Sequence, residues 1–154
     1  MTAAEAIDVG EKLIHLLGQQ RLLYRQLKEL AQQQSSLVDG NDPETLLRVL
    51  AGRGRLIDKL ATIDRELDPI RSDWQRIAGS LPTEQRQQAQ ELVAQVQEIL
   101  GEILASDAKD SEVLANHQRK VGQDIQSATK GKQMNRAYAQ SSAVEESRYL
   151  DGQG

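Results

Sequence analysis

The sequence predicts an all-α protein, an antiparallel bundle of three long helices with coiled-coil-like packing and a flexible C-terminal tail. Three observations predict it. Aromatic residues make up only 3% of the 154, with no Phe, one Trp and three Tyr, whereas sheet cores draw on aromatic and β-branched side chains. The chain is rich instead in Leu, Ala, Gln, Glu and Arg, which favour helix, and its three prolines leave room for very long ones. Leucine, isoleucine and valine also recur, in three successive segments, at the spacing of about 3.5 residues that packed helices require.

The first helix is expected from about Thr2 to Val38. Its seam is Leu13, Leu16, Gln20, Leu23, Leu27, Leu30, Gln34 and Leu37, stepping alternately three and four residues. Ile7, Ile14, Leu17, Leu22 and Tyr24 widen that stripe enough to touch more than one partner helix. Asp39-Gly40-Asn41-Asp42-Pro43 stops it: Gly40 suits a left-handed cap, Asp42 an N-cap and Pro43 the first position of the next helix.

The second helix is expected from Pro43 to about Ala78. Val49, Leu56, Ile63, Ile70 and Ile77 fall at an unbroken spacing of seven, and a flanking row of Leu46, Arg53, Leu60, Leu67 and Trp74 is apolar except at Arg53. Gly52 and Gly54 lower helix propensity by about 1 kcal/mol each. Pro69 removes an amide donor and is expected to kink the helix near Asp68, because the apolar row passes through it in register. A break into two helices is the alternative. Gly79-Ser80-Leu81-Pro82-Thr83 forms the second turn.

The third helix then carries Ala89, Leu92, Val96, Ile99, Leu100 and Ile103, weakens at Ser106, Asp107 and Asp110, and resumes with Val113, Leu114, Val121 and Ile125. After Ser127 the residues become small and polar. The expected division is a helical bundle domain over 1–128 and a flexible tail over 129–154.

The 19 basic and 23 acidic side chains leave a net charge of −4, which argues against nucleic acid and against an anionic membrane surface. Cysteine is absent, excluding disulfides and thiolate chemistry. No leader and no membrane span is expected, so the expected compartment is the cytoplasm. A dinuclear carboxylate centre needs repeated Glu-x-x-His motifs. The residue three before His15 is Lys12 and that before His117 is Leu114, so no metal site is expected. Gly52-Arg53-Gly54 follows no strand and precedes no Lys-Ser or Lys-Thr, so it is no phosphate loop. No enzyme activity and no cofactor are expected.

The third helix is expected to outrun its partners, leaving Val113 to Ile125 as an apolar ledge. Such a ledge belongs to a subunit interface, waits for a foreign helix, or is covered by the tail folding back.

The opening helix from Leu13-Ile14-His15-Leu16-Leu17 to Leu27, the turn from Asp39 to Glu44 leading to Leu46-Leu47 and Leu56-Ile57-Asp58-Lys59-Leu60, the Leu81-Pro82-Thr83-Glu84 lead into a long helix, and Asn135-Arg136-Ala137-Tyr138 in a small-residue tail together resemble flagellar export chaperones of the FlgN type. The resemblance spans about Ala4 to Tyr138. Pro69 and the end Tyr149-Leu150-Asp151-Gly152 are not features that family requires. It implies a cytoplasmic type III secretion chaperone that shields the terminal coiled-coil segments of hook-associated proteins, the hook–filament junction components, before export. By position it implies Val113, Leu114, Val121 and Ile125 as substrate-facing residues, and Tyr138 as a contact for the flagellar export apparatus. The alternative reading is a structural coiled-coil scaffold in which the same ledge makes a homodimer. A terminal substrate segment that folds on binding fits a delivery factor, since ordering costs lower affinity per contact area and permit release.

Overall fold

The structure, a computed structural model, describes the backbone of residues 1–149 and the side chains of residues 1–137. Helix is the only regular structure among the described residues, in the order α1 (Ala3–Leu37), α2 (Pro43–Ser72), α3 (Trp74–Ser80) and α4 (Thr83–Tyr149). The chain falls into two compact units, the first Met1–Val113 and the second beginning at Leu114.

Helices α1 and α2 begin where a side chain satisfies free amides, whereas α3 starts at Asp73 without a side-chain cap. Thr2 and Glu5 form a reciprocal capping box on α1, the Glu5 amide donating to Thr2 Oγ1 at 3.2 Å and the Thr2 amide to Glu5 Oε2 at 3.1 Å. Asp42 caps α2 as expected, accepting from the Thr45 amide at 3.1 Å and the Thr45 hydroxyl at 2.6 Å. Those two bonds hold its carboxyl below the usual carboxylate range. Pro43 takes the first helical turn, where its missing N–H costs nothing. Gly40 does not adopt the left-handed conformation expected of it. The end of α1 closes instead through the Val38 amide on Gln34 O and the Gly40 amide on Leu37 O.

The described residues form four helices where three were expected. Helix α2 passes through Pro69 and stops at Ser72, followed by the single residue Asp73 (φ −105°, ψ 17°). The Asp73 amide turns to Arg71 O, leaving the Pro69 carbonyl that a continuous helix would use. Because one residue suffices for the break, the seven-residue row keeps its register: Val49, Leu56, Ile63, Ile70 and Ile77 are all buried. Helix α4 also runs beyond Ser127, so that 129–149, the stretch assigned to a tail, has helical backbone. That stretch contains no proline and only Gly131 as a strong helix breaker, so backbone propensity allows the helix to continue after the apolar pattern fades.

Two apolar clusters hold the first unit together. One joins Leu13, Leu16 and Leu17 of α1 to Ile63, Leu67 and Ile70 of α2, Ile77 of α3, Leu81 in the turn after α3, and Ala89 near the start of α4. The other joins Leu27 to Leu56, Leu60, Ile99 and Ile103. Polar pairs follow the same order. Gln20 reaches Asp64 and Arg53 reaches Gln34, so α2 runs against α1. Gln85 reaches the Ile7 carbonyl, Arg21 reaches Gln95 and Ser35 reaches Asp110, so this part of α4 runs with α1.

At Gly10 of α1 an added β-carbon would run into Gln85 Oε1 and stand 2.9 Å from Leu81 Cδ2. Gly10→Val therefore displaces buried Leu81 and breaks the Gln85 bond to Ile7 O. The expected loss is about 1.5 kcal/mol of unfolding free energy, within the usual cost of overpacking, read as a lower urea midpoint at unchanged slope.

Candidate functional site

On a helix, residues seven and eleven apart return to nearly the same face, because 3.6 residues complete a turn. Leu114, Val121 and Ile125 have that spacing on α4 and lie within about 40° of one another around its axis. All three are exposed, at 36%, 41% and 60%. They form an apolar row of about three turns in the second unit. His117 is exposed beside it, and Arg119 donates to Asn116 Oδ1 at 2.7 Å. Val113 is only half-buried and belongs to the first unit. The side chain of Tyr138 lies outside the described residues. The structure thus groups three of the five expected residues on one face.

The first unit holds a surface that periodicity did not reveal. An open groove of about 720 Å³ runs beside α1, α2 and α4, with Leu17, Tyr24, Leu67, Trp74, Val93 and Leu100 among its walls. Polar side chains ring it. Asp64 Oδ1 accepts from Arg71 Nη2 at 3.0 Å and from Gln20 Nε2 at 3.4 Å. Burial pushes the Tyr24 phenol above its ordinary value, with the Asp64 charge adding and Arg71 opposing, so it is a neutral hydroxyl at physiological pH. The signal for the groove was the width of the α1 stripe, which carried Leu17 and Tyr24 beyond what one neighbouring helix covers. A linear pattern cannot tell whether the second neighbour is present.

The chemistry here is apolar contact rimmed with hydrogen-bonding groups. Among the described residues no three or more His, Cys, Asp or Glu side chains are placed to hold a metal ion. Among them, too, no helix is long and apolar enough to cross a membrane.

Comparison with known proteins gives a match to the family described as Flagellar protein FliT, over residues 22–140. No curated protein and no solved structure matches the chain. FliT is a flagellar export chaperone family, so the resemblance to the FlgN type holds at the level of the chaperone kind and the matching family is a related one. With most of its length matched, from within α1 to near the end of α4, the chain belongs to the FliT family of flagellar export chaperones.

Proposed function

We propose that the chain is a cytoplasmic chaperone that holds the C-terminal helical segments of hook-associated proteins before their export, and that the row Leu114, Val121 and Ile125 is where those segments lie. The observation that carries this reading is that row itself. Three large aliphatic side chains on one face of a helix stay in water, an arrangement that becomes favourable when an amphipathic partner helix covers them. Val113, in the first unit, is proposed as a further substrate contact, and Tyr138 as a contact for the export apparatus. Binding by surface contact, with no catalytic group, suits a factor that must later let go.

The test is a titration of a fluorescently labelled C-terminal segment of a hook-associated protein with the full chain. The triple variant L114E/V121E/I125E is expected to raise Kd at least tenfold, since burying each aliphatic side chain is worth about 1.5 kcal/mol or more. Its thermal melt should match the parent because the three positions are exposed. Unchanged affinity sinks the reading. Sedimentation at several concentrations supplies the other arm: a tight dimer that the triple variant dissociates would make the row a homodimer interface of a scaffold.

A further inference from the structure

We propose, resting on the reading of Leu114, Val121 and Ile125 as the docking row, that the helix held there has an acidic end and that Lys132 and Arg136 select it. The row has a continuation. Lys132 comes seven residues after Ile125 and Arg136 eleven after it. At about 100° per residue, Lys132 falls on the line of the row and Arg136 within about 40° of it. Both are exposed. From Leu114 to Arg136 the strip is about 33 Å long at 1.5 Å per residue, apolar over its first half and cationic at its far end.

The charge around the strip is lopsided. Between Leu114 and Ala137 the second unit carries five cations, Arg119, Lys120, Lys130, Lys132 and Arg136, against one anion, Asp124, all exposed. None of the six makes an ion pair among the described residues. Arg119 and Lys130 stand on the opposite side of the helix, about 140° or more from the row, while Lys120 and Asp124 stand four residues apart on one flank. Lys132 and Arg136 are therefore the charges on the strip itself. No residue three or four positions from either is acidic, so the helix offers them no neighbouring counter-charge. Like charges four residues apart also destabilise a helix, a cost that a carboxylate placed between them removes.

The occupant must satisfy both halves of the strip. A second copy of the chain would bring the same positive surplus and be repelled. A phosphate backbone would meet the cations and leave the aliphatic row bare. An anionic membrane would draw the row into its apolar layer and Lys132 with it, since they share a line, and residues 114–137 contain no Phe, Trp or Tyr to sit at the lipid boundary. An amphipathic helix with an acidic end covers the row with its apolar face and meets the ammonium and guanidinium groups with its carboxylates.

The experiment titrates the full chain into fluorescently labelled designed peptides of about three heptads. Each carries Leu along one face for two heptads and Glu on that face in the remaining one. The Glu heptad is N-terminal in one peptide and C-terminal in the other, and each has a twin with Lys for Glu. One Glu peptide is expected to bind at least tenfold more tightly than its Lys twin, and which one it is gives the direction of docking. K132E/R136E should abolish or reverse that preference. R119E/K130E, the same charge change on the opposite side, should keep it within about threefold, since solvent and salt screen charges at that distance. A preference that survives K132E/R136E, or is lost equally in R119E/K130E, overturns the proposal. So does displacement of the Glu peptide by a short DNA duplex or by phosphatidylglycerol vesicles at comparable concentrations of charge. The variant L114E/V121E/I125E separates the two readings. Glu and Lys peptides that bind equally and are released by it leave the row as the docking site and sink only the charge selection, whereas binding indifferent to it sinks both.

Discussion

Replacing Leu67 with alanine is expected to remove about 3 kcal/mol of unfolding free energy, in the middle of the range for a large-to-small change in a closed core. Leu67 is 1% exposed and sits in the cluster that joins α1, α2, α3 and the start of α4. The loss has two parts: the transfer free energy of the deleted carbons, and a cavity that neighbours cannot fill. Ile63 and Ile70 are fixed on the same helix, while Leu13, Leu16 and Leu17 are pinned by their own packing on α1. Urea unfolding followed by circular dichroism reads the effect as a lower midpoint with unchanged slope. Leu47→Ala, at an exposed position of the same helix, should shift stability by less than about 0.5 kcal/mol. Equal effects at the two positions would mean that Leu67 is not in the closed core described.

Arg53→Ala is expected to cost about as much, about 3 kcal/mol, for an electrostatic reason. Arg53 donates through Nη1 and Nη2 to the two carboxylate oxygens of Asp107, both at 2.8 Å, and also to Gln34. Its side chain is largely buried. The bond to Asp107 raises the guanidinium above even its ordinary high pKa, against the opposing effect of burial, so the arginine stays charged across the working pH range. Asp110 lies in the same neighbourhood. Its Oδ1 accepts from Ser35 Oγ at 2.7 Å, while its buried Oδ2 has no hydrogen-bond partner. The Asp110 charge acts on Arg53 in the same sense as Asp107, favouring the charged guanidinium. Removing the arginine leaves the half-buried Asp107 without its two-pronged partner, so the variant loses the pair and strands an acid. The double variant R53L/D107L should be more stable than R53A, because it removes the stranded charge at Asp107. An R53L/D107L variant no more stable than R53A would refute this account.

Arg53 also shows why part of the design was hidden in one dimension. It interrupts an otherwise apolar row between Leu46 and Leu60, and read linearly it is a fault in the pattern. In the fold it is an inward cation met by Asp107 from α4 and Gln34 from α1. Those partners lie 54 and 19 residues away in the chain, beyond the reach of any local rule. Asp107 and Asp110, which seemed to weaken the third apolar stripe, are the other half of the same network. The seven-residue row from Val49 to Ile77 was legible throughout, because burial of one helix face demands that spacing whatever the partner is.

Of the candidate site, the grouping of Leu114, Val121 and Ile125 was readable because helical geometry alone places them together. Their exposure was not, since it depends on what else reaches that face. The groove was hidden for the same reason: a linear pattern marks a side chain as apolar without telling whether it is covered.

Helix type, the turn at Asp42-Pro43, the start of the last helix after Pro82 and the buried rows were all determined by the sequence by itself, because caps, proline geometry and side-chain periodicity act within a few residues. The break at Asp73, the closure of the Arg53 network and the division between covered and uncovered leucines were decided only by the tertiary structure. They depend on which distant segment arrives at a given face, and that is set by the packing of all the helices together rather than by any stretch of one.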